Sequence, residues 1–241
     1  MEKGRVPNIV VLTGAGISAE SGIKTFRDQD GLWEEHDIEE VATPRGFRKN
    51  PELVYRFYNE RRRQANRCQP NAAHQGLAEL EKILGDSFFL VTQNVDDLHE
   101  KAGSTRYCHM HGELNKVRCV KCHKVYVWLE DLDGSILCQN CKGKLRPHIV
   151  WFDEIPFQMK EIVNLLRRSD IYVAIGTSGQ VYPAAGFYQF ASEAGAYTVE
   201  INLTQTTSDF DCLLKGSATS SVPIFVNAVK KAIMDNSILV P

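Results

Sequence analysis

The sequence has no long hydrophobic run, little net charge and no tract of biased composition. No window approaches the ~18 consecutive apolar residues of a membrane-spanning helix. The first residues, MEKGRVPNIVVLTGAG, reach glycine after one short apolar run and lack the pattern of a signal peptide. A net charge of −2 provides no overall basic field to collect nucleic acid or anionic lipid. We therefore expect no specific nucleic-acid partner and no membrane association.

The cysteine content is too low for a secreted disulfide scaffold, and the seven cysteines cannot all pair because their number is odd. We therefore expect reduced thiols, some of them bound to metal, and a cytoplasmic location. Of the 241 residues, 43% are hydrophobic and 24% are charged, as in an ordinary globular protein of one or two domains. A monomer is compatible with the sequence, which does not determine the oligomeric state.

Short β-branched runs alternate with helical patterns along the chain. This alternation predicts an α/β fold with a Rossmann-like parallel sheet flanked by helices. Ligands of such sheets bind beyond the carboxyl ends of the strands, where three of the predicted strands run into polar loops. The predicted strands are Ile9–Leu12, Phe88–Val91, Ile171–Ile175 and Val199–Leu203, and the predicted helices are Ala73–Leu84, Lys160–Arg168, Pro183–Ala194 and Val222–Met234.

Two stretches interrupt this alternation. The first, residues 34–70, has helix signals but no convincing strand, and the second, residues 113–147, carries paired cysteines among glycine, lysine and aspartate. We predict that these two insertions together form a smaller helical plus zinc-ribbon module. Residues 1–33, 71–112 and 148–241 are then expected to form one discontinuous Rossmann-like domain.

Four of the cysteines form two Cys-x-x-Cys pairs with fifteen residues between them. This spacing is typical of a structural zinc site, in which four thiolates leave no open position for water or substrate. Incidental thiols or two redox pairs are the alternatives. The surrounding segment is locally basic without interleaved aromatic residues, so we favour a solvated charged face over a nucleic-acid site. The predicted zinc ligands are Cys119, Cys122, Cys138 and Cys141, and the remaining cysteines, Cys68, Cys108 and Cys212, are interpreted as small apolar residues.

A glycine-containing turn, Gly14-Ala15-Gly16, follows the first predicted strand and leads toward a predicted helix start. Backbone N–H groups and the helix dipole can bind a phosphate at such a place. The dehydrogenase fingerprint is incomplete, because no second strand ends in an acidic residue about twenty positions later. Without further motifs, a tight strand-to-helix turn explains the glycines equally well.

The segment Gly14–Arg27, GAGISAESGIKTFR, resembles the opening motif of the sirtuins, which are NAD-dependent protein-lysine deacylases. Further motifs follow in the order of that family and extend the resemblance to about Ala218. These motifs are Thr92-Gln-Asn-Val-Asp96, His109-Met-His-Gly112, the two cysteine pairs, Gly176-Thr-Ser178 and Ile201-Asn-Leu203. One departure is Asp153, where the family usually has glycine.

The resemblance implies an enzyme that transfers the acyl group of acyl-lysine proteins or peptides to ADP-ribose and releases nicotinamide from NAD. It assigns the general base to His111, a suitable residue type because histidine titrates near neutral pH. It further implies that Asn94 orients the ribose and a water, and that Asp96 holds the nicotinamide carboxamide. The other residues that the resemblance places against NAD are Gly14, Ala15, Gly16, Ile17, Ser18, Phe26, Arg27, Gln93, Gly176, Thr177, Ser178, Asn202 and Ala218.

A helix is predicted to begin at Asn50-Pro51, which combines a capping residue with proline at the first helical position. At ~100° per residue, Tyr58 and Arg61 fall on its apolar face, whereas Arg62 and Arg63 point away. An inward guanidinium requires an anion, and a tyrosine three residues earlier can hold the same carboxylate. The other members of this face are Leu53, Val54 and Phe57.

Within the sirtuins, this Tyr-x-x-Arg arrangement resembles the subgroup that removes succinyl and malonyl groups, whose acyl chains end in a carboxylate. Ala42 matches the small residue that widens the acyl pocket of that subgroup. The residues alone also allow Arg61 to extend to solvent while Tyr58 packs in the core. The resemblance therefore predicts deacetylase and desuccinylase or demalonylase activity.

Two other functions remain open at this level. ADP-ribosyl transfer from NAD to a protein shares the first bond cleavage and differs only in the acceptor. A zinc-ribbon protein that binds nucleic acid is the alternative outside enzymology, although the joint presence of Asn94, Asp96 and His111 disfavours it.

Overall fold

The computed structural model describes residues 5–24, 32–33, 36–207 and 209–235. Each predicted strand is present within one or two residues at either end, because continuous β-branched runs are typical of strands buried on both faces. The strands are β1 (Ile9–Thr13), β2 (Leu32–Trp33), β3 (His36–Asp37), β4 (Phe88–Thr92), β5 (Tyr107–His109), β6 (Gly112–Cys119), β7 (Val125–Val127), β8 (Leu145–Ile149), β9 (Ile171–Ile175), β10 (Tyr197–Asn202) and β11 (Cys212–Lys215).

The helices also follow the predicted patterns. The segment predicted as one helix from Pro183 begins as a 3₁₀ turn, Ala184–Gly186, before the α-helix starts. The α-helices are α1 (Ile38–Val41), α2 (Pro44–Lys49), α3 (Pro51–Arg67), α4 (Ala72–Leu84), α5 (Leu98–Ala102), α6 (Met159–Leu166), α7 (Phe187–Glu193) and α8 (Ala218–Met234). As predicted, Asn50 caps α3, and its side chain accepts a hydrogen bond from the Leu53 amide at 3.1 Å.

Six strands form one parallel sheet in the order β11-β10-β9-β1-β4-β5. Helices α4 and α8 pack on one face and α6 and α7 on the other, each over its own apolar cluster. The strand order reverses between β1 and β9, so a crevice is expected beyond the carboxyl ends of these two strands. Such a switch point is where doubly wound sheets bind ligands, and the predicted site residues lie there.

The second sheet, β7-β6-β8, is antiparallel and carries the paired cysteines. We call residues 112–149 the cysteine module. Helices α1 to α3 pack against β6 and β8 in a third apolar cluster, which joins the two insertions as expected. The short β3 lies in the first insertion, where no strand was predicted. The proposed domain boundaries remain a prediction.

No helix among the described residues is long and apolar enough to cross a membrane.

Candidate active site

The loops after β1 and β9 touch each other through glycine backbone. The Gly14 and Gly16 amides donate to the carbonyls of Ile175 and Gly176, each at 2.9 Å. A Cβ atom added to Gly16 would lie 2.7 Å from the Gly176 Cα, and Gly176 itself has a φ of +59°. These positions require glycine because two backbones approach more closely than any side chain allows.

The expected helix start after this turn is wrong. Residues Ala15–Ile17 and Ala19–Ser21 form two short 3₁₀ turns, so this segment contributes no α-helix macrodipole to the site. The amides of Gly14 and Gly16 are already bound to carbonyls. The turn therefore shapes the crevice and brings its last residue, Ser18, into the buried interior.

Ser18, Asn94 and Asp96 form one buried hydrogen-bonded group. Ser18 Oγ donates to Asp96 Oδ2 at 3.1 Å and accepts from Asn94 Nδ2 at 3.1 Å. The Leu98 amide donates to the other Asp96 oxygen at 3.1 Å. Burial raises the pKa of Asp96, although these hydrogen bonds oppose the shift. The structure thus brings together the two residues predicted to act beyond the end of β4, and adds Ser18 as their link.

His111 stands at the end of β5, beside the loop after β4. Its Nδ1 lies 3.2 Å from the Gln93 carbonyl, which can only accept, so Nδ1 carries the proton and Nε2 keeps a lone pair. Burial lowers the pKa of His111, and the Gln93 carbonyl only partly offsets this effect. A neutral imidazole with an available nitrogen is the form that a general base requires.

The far end of the crevice is formed by the loops after β9 and β10 and by the start of α8. Asn202 Nδ2 donates to the Thr177 carbonyl at 2.7 Å, and Ser178 Oγ accepts from the Gln180 amide. Ala218 opens α8, which lies over the first 3₁₀ turn. The predicted residues of this end are therefore neighbours, whereas Phe26 and Arg27 lie outside the described residues.

Three buried residues of this site were missed by the sequence analysis. His74 Nε2 lies 3.4 Å from Ser18 Oγ, His99 Nε2 lies 3.0 Å from Thr13 Oγ1, and the two imidazole rings are 4.9 Å apart. Burial lowers the pKa of His74 to about 4 and that of His99 well below its usual value. Thr13 could have been found from the sequence, because it is a polar residue in the last position of a buried strand.

The four paired cysteines converge. Their sulfur atoms all lie within 4.8 Å of one another, with Cys119 and Cys141 at 3.4 Å and Cys122 and Cys138 at 3.6 Å. Zinc–sulfur bonds of about 2.3 Å in a tetrahedron separate the sulfurs by somewhat under 4 Å, so this geometry fits one zinc ion. Two amides of the knuckle, those of Lys121 and Cys122, donate to Cys119 Sγ, as expected around a thiolate ligand. The three other cysteines lie outside this group, and burial raises the pKa of Cys108 to about 12, which makes it unreactive.

Three basic residues of the cysteine module form ion pairs, whereas Lys121, Lys124, Lys142 and Lys144 are exposed. Arg118 and Arg146 both hydrogen-bond to Glu154, at 2.9 and 2.7 Å, and Arg146 is 7% exposed. Lys116 pairs with Glu113 at 2.7 Å. These ion pairs neutralise three of the basic side chains, and the four exposed lysines are solvated, as predicted.

The Tyr58 face of α3 is buried as predicted. Tyr58 is fully buried and accepts a hydrogen bond from Trp151 Nε1 at 3.0 Å. The Arg61 guanidinium lies 3.4 Å from the Phe57 ring centroid and donates to the Phe57 carbonyl at 2.8 Å. Ala42 belongs to the same apolar cluster. Arg61 therefore points inward and does not extend to solvent.

The prediction that Arg62 points away from the protein is wrong, because it is 1% exposed. Its guanidinium donates to the carbonyls of Leu114 and Glu130, at 2.7 and 3.0 Å, and to Asn59 Oδ1. The cysteine module covers this side of α3 and supplies the two carbonyl acceptors, whereas Asn59 belongs to α3 itself. The helix is thus buried on more than one face, which a single apolar stripe does not reveal.

Comparison with known proteins agrees with this geometry. The chain matches the Sir2 family over residues 14–183. It is 58% identical, over 224 residues, to a protein of Pasteurella multocida (strain Pm70) named NAD-dependent protein deacylase, with coverage of 90% of this chain and 96% of the relative. The chain belongs to the Sir2 family. The resemblance to the sirtuins is thereby confirmed.

Two solved Sir2 structures share the fold. A complex of a Sir2 homologue with NAD has a TM-score of 0.85 and 40% identity, and covers 93% of this chain and 90% of its own. A Sir2 protein bound to an acetylated peptide has a TM-score of 0.75 and 30% identity, and covers 94% and 92%. The parallel sheet flanked by helices is therefore the Sir2 arrangement.

The departure of this sirtuin at Asp153 has a backbone explanation. Asp153 has a φ of +70°, in the left-handed region that favours glycine. Aspartate is among the few other residues that tolerate this conformation, so the turn is kept. The neighbouring Glu154 still accepts from the Trp151 amide at 2.9 Å.

Proposed function

We propose that this sirtuin is an NAD-dependent protein-lysine deacylase, which transfers the acyl group of a lysine to ADP-ribose and releases nicotinamide. The observation that carries the proposal is the buried Ser18–Asn94–Asp96 group beside a neutral His111 at the switch point of the sheet. The printed name of the Pasteurella multocida relative supports the same activity.

The reaction needs polar groups that hold NAD and the acylated lysine in place, and one general base. NAD supplies an electrophilic ribose carbon when its nicotinamide leaves, and the acyl oxygen of the substrate is the nucleophile in this family. His111 Nε2 accepts a proton from a ribose hydroxyl, since Nδ1 is bound to the Gln93 carbonyl. Its lowered pKa keeps it neutral near pH 7.

The remaining groups position the reactants. Asn94 and Asp96 present an amide and a carboxyl from one buried place, and Ser18 fixes both side chains. Asp96 suits the amide group of nicotinamide because a carboxyl oxygen can accept its N–H. Thr177, Ser178 and Asn202 suit the adenosine half of NAD, because they offer hydroxyl and amide groups at the other end of the crevice.

The acyl range is proposed to include chains that end in a carboxylate. Tyr58 and Arg61 provide a hydroxyl and a guanidinium from one buried helix face, and Ala42 is a small residue of the same cluster. Arg61 Nη1 lies 3.6 Å from the exposed Glu60 carboxylate, and a substrate carboxylate would add a hydrogen bond to a charged group, which contributes about 1.5–3 kcal/mol. The substrates are thus acetyl-lysine and succinyl- or malonyl-lysine in proteins or peptides.

Zinc bound to the four cysteines would hold the cysteine module together and perform no chemistry, because four thiolates close the coordination shell. Thiol ligands and the free cysteines of the described residues fit a reducing compartment, and we infer a cytoplasmic location. A monomer is the simplest assembly for these substrates.

The test is to mix the purified protein with NAD and with matched acetylated, succinylated and unmodified lysine peptides. Nicotinamide release and peptide mass are followed together. We expect one nicotinamide per acyl group lost, and none without an acylated peptide. Nicotinamide release with the unmodified peptide, accompanied by a peptide heavier by one ADP-ribose, would instead establish ADP-ribosyl transfer.

A further inference from the structure

His109 is a further buried histidine beside the catalytic residues, and its role is not assigned by the proposed reaction. It lies on β5, paired in register with Thr92 of β4, and is 6% exposed. Its Nδ1 lies 2.8 Å from the backbone carbonyl of Asn94, and its Nε2 lies 2.8 Å from Glu100 Oε1. Both ring nitrogens thus face oxygen atoms.

This geometry restricts the protonation of the ring. A backbone carbonyl only accepts, so Nδ1 must carry a proton. A neutral ring would then place the Nε2 lone pair against a carboxylate oxygen at hydrogen-bond distance, which is repulsive. A second proton on the ring converts this contact into a charge-assisted hydrogen bond.

The charges around the ring favour that second proton. Glu100 from α5 and Glu113 from β6 face it, and their ligand atoms lie within 4.8 Å of His109. Lys116 pairs with Glu113 at 2.7 Å and neutralises its charge. The negative charge of Glu100 therefore requires a different positive partner. The other titratable neighbours are Asp96, His99 and Tyr107. One Glu100 oxygen is buried without a hydrogen bond in the described structure. Tyr107 also contacts Glu100, but burial and the nearby carboxylates raise the pKa of Tyr107 to about 12, so it stays neutral and cannot balance the charge.

We infer that His109 and Glu100 form a buried imidazolium–carboxylate pair that positions Asn94, so that His109 is a positioning residue for the reaction proposed above. The anchoring is direct, because His109 holds the carbonyl of Asn94 while Thr92 Oγ1 accepts from its amide at 3.0 Å. Loss of the ring charge would keep the Nδ1 proton but remove the hydrogen bond from Nε2 to Glu100. The ring would then be held less firmly, which would loosen the anchor at the Asn94 carbonyl. The Asn94 side chain, which contacts Ser18, would lose its fixed direction.

The pair has a defined pH window. Burial alone would lower the pKa of His109, but the hydrogen bond and charge of Glu100, together with the Asn94 carbonyl and Glu113, raise it above its usual value. The stabilisation is therefore complete below about pH 6.5 and is lost as the pH rises through the raised value. Deacylation should decline on the alkaline side for this reason.

The direct test is nitrogen NMR of the full-length protein with ¹⁵N-labelled histidine, and it needs no activity. His109→Gln identifies the resonances of His109 by their loss. We expect both ring nitrogens of His109 to be protonated at pH 7, with a titration midpoint above 6.5. In Glu100→Gln the midpoint should fall by about one to three pH units, and in Glu113→Gln, the matched control without a direct contact, it should fall less.

Kinetics then separates positioning from mere structural support. The alkaline limb of kcat should shift with the His109 midpoint in Glu100→Gln and should disappear in His109→Gln, whose amide can still donate to the Asn94 carbonyl. If the alkaline limb of kcat lies at the same pH in both variants as in the unsubstituted protein, the positioning role would be overturned. A neutral His109 at pH 7 would overturn the pair itself, and so would a second bound metal ion lost in Glu100→Gln, which would make the cluster a metal site. The NMR result stands even if the protein proves to have no deacylase activity.

Discussion

The carboxyl edge of the parallel sheet and the cysteine module are stabilised in different ways. At the sheet edge, backbone contacts between glycines and a buried group of polar side chains fix the loops. The cysteine module has a short three-stranded sheet, exposed valines on β7 and four converging thiols. The first region is set by close packing of the chain on itself, and for the second we propose that an ion bound to the four thiols holds it together.

The carboxyl edge of the sheet and the cysteine module are therefore expected to have different roles. The sheet edge provides preorganised polar groups, which catalysis requires. The cysteine module supports the substrate side, because β6 follows directly after His111 and the Val150 amide donates to the His111 carbonyl at 2.8 Å. It also covers α3, which carries Tyr58 and Arg61. Damage to the module should therefore reach the site through these contacts.

The largest expected effect is from Cys119→Ala. Three ligands cannot hold structural zinc as four do, and metal binding contributes directly to folding. We expect the zinc-to-protein ratio to fall from near one to near zero, with loss of the cooperative unfolding transition of the module. Metal analysis and circular dichroism measure both changes.

Cys212→Ala is the matched control, because Cys212 is half-buried on β11 and lies away from the cluster. It should keep its zinc. A Cys119→Ala protein that is metal-free, folded and fully active would refute the dependence of the module on an ion.

The close packing of the sheet edge is tested by Gly176→Ala. A Cβ atom there would lie 2.6 Å from the Ile17 nitrogen, and φ is +59°. Steric overlap adds to the cost of the left-handed conformation, so we expect a loss of about 3 kcal/mol or more in the free energy of unfolding. Urea unfolding measures this loss.

Gly103→Ala separates the two causes. Gly103 also has a left-handed conformation, with a φ of +99°, but nothing lies within 4 Å of its added Cβ. Its loss should be limited to about 1–2 kcal/mol. Equal losses in both variants would show that close approach of the two loops is unimportant.

A smaller and more selective effect is expected from Arg61→Met. The substitution removes the cation but keeps much of the apolar stem, so desuccinylation should fall about 10- to 100-fold while deacetylation is largely kept. Rates with matched peptides measure the ratio. Arg63→Met, which removes an exposed ion pair with Asp131, should leave both rates unchanged. An equal fall of both activities in Arg61→Met would assign the arginine to structure.

The fold was largely predictable because its strands are continuous apolar runs, and Ile171–Ile175 was predicted to the residue. The strands β5 and β11 were missed because each is short and depends on register with a neighbour. Arg62 was misplaced because its burial is caused by the distant segment at Leu114 and Glu130.

Only those site residues that belong to sequence motifs could be predicted. The pairing of Asn94 with Asp96 follows from their spacing beyond β4, but the link through Ser18 requires two loops to meet in space. His74 and His99 carry no local signal, because a buried histidine in a helix resembles an exposed one in sequence. The 3₁₀ turns after β1 were not predicted, because the same glycine pattern precedes both 3₁₀ turns and α-helices.

The most direct measurement of the central claim, that the Ser18–Asn94–Asp96 group positions the reactants beside His111, is peptide-dependent nicotinamide release by Asn94→Ala. Asn94 lies in the sheet edge, far in sequence from the zinc ligands, so zinc content and the unfolding transition should be kept. We predict a fall in rate of about 100- to 1,000-fold, as expected when a preorganised polar group is removed from a buried site. A folded, zinc-loaded Asn94→Ala protein that releases nicotinamide at the unsubstituted rate would contradict the claim.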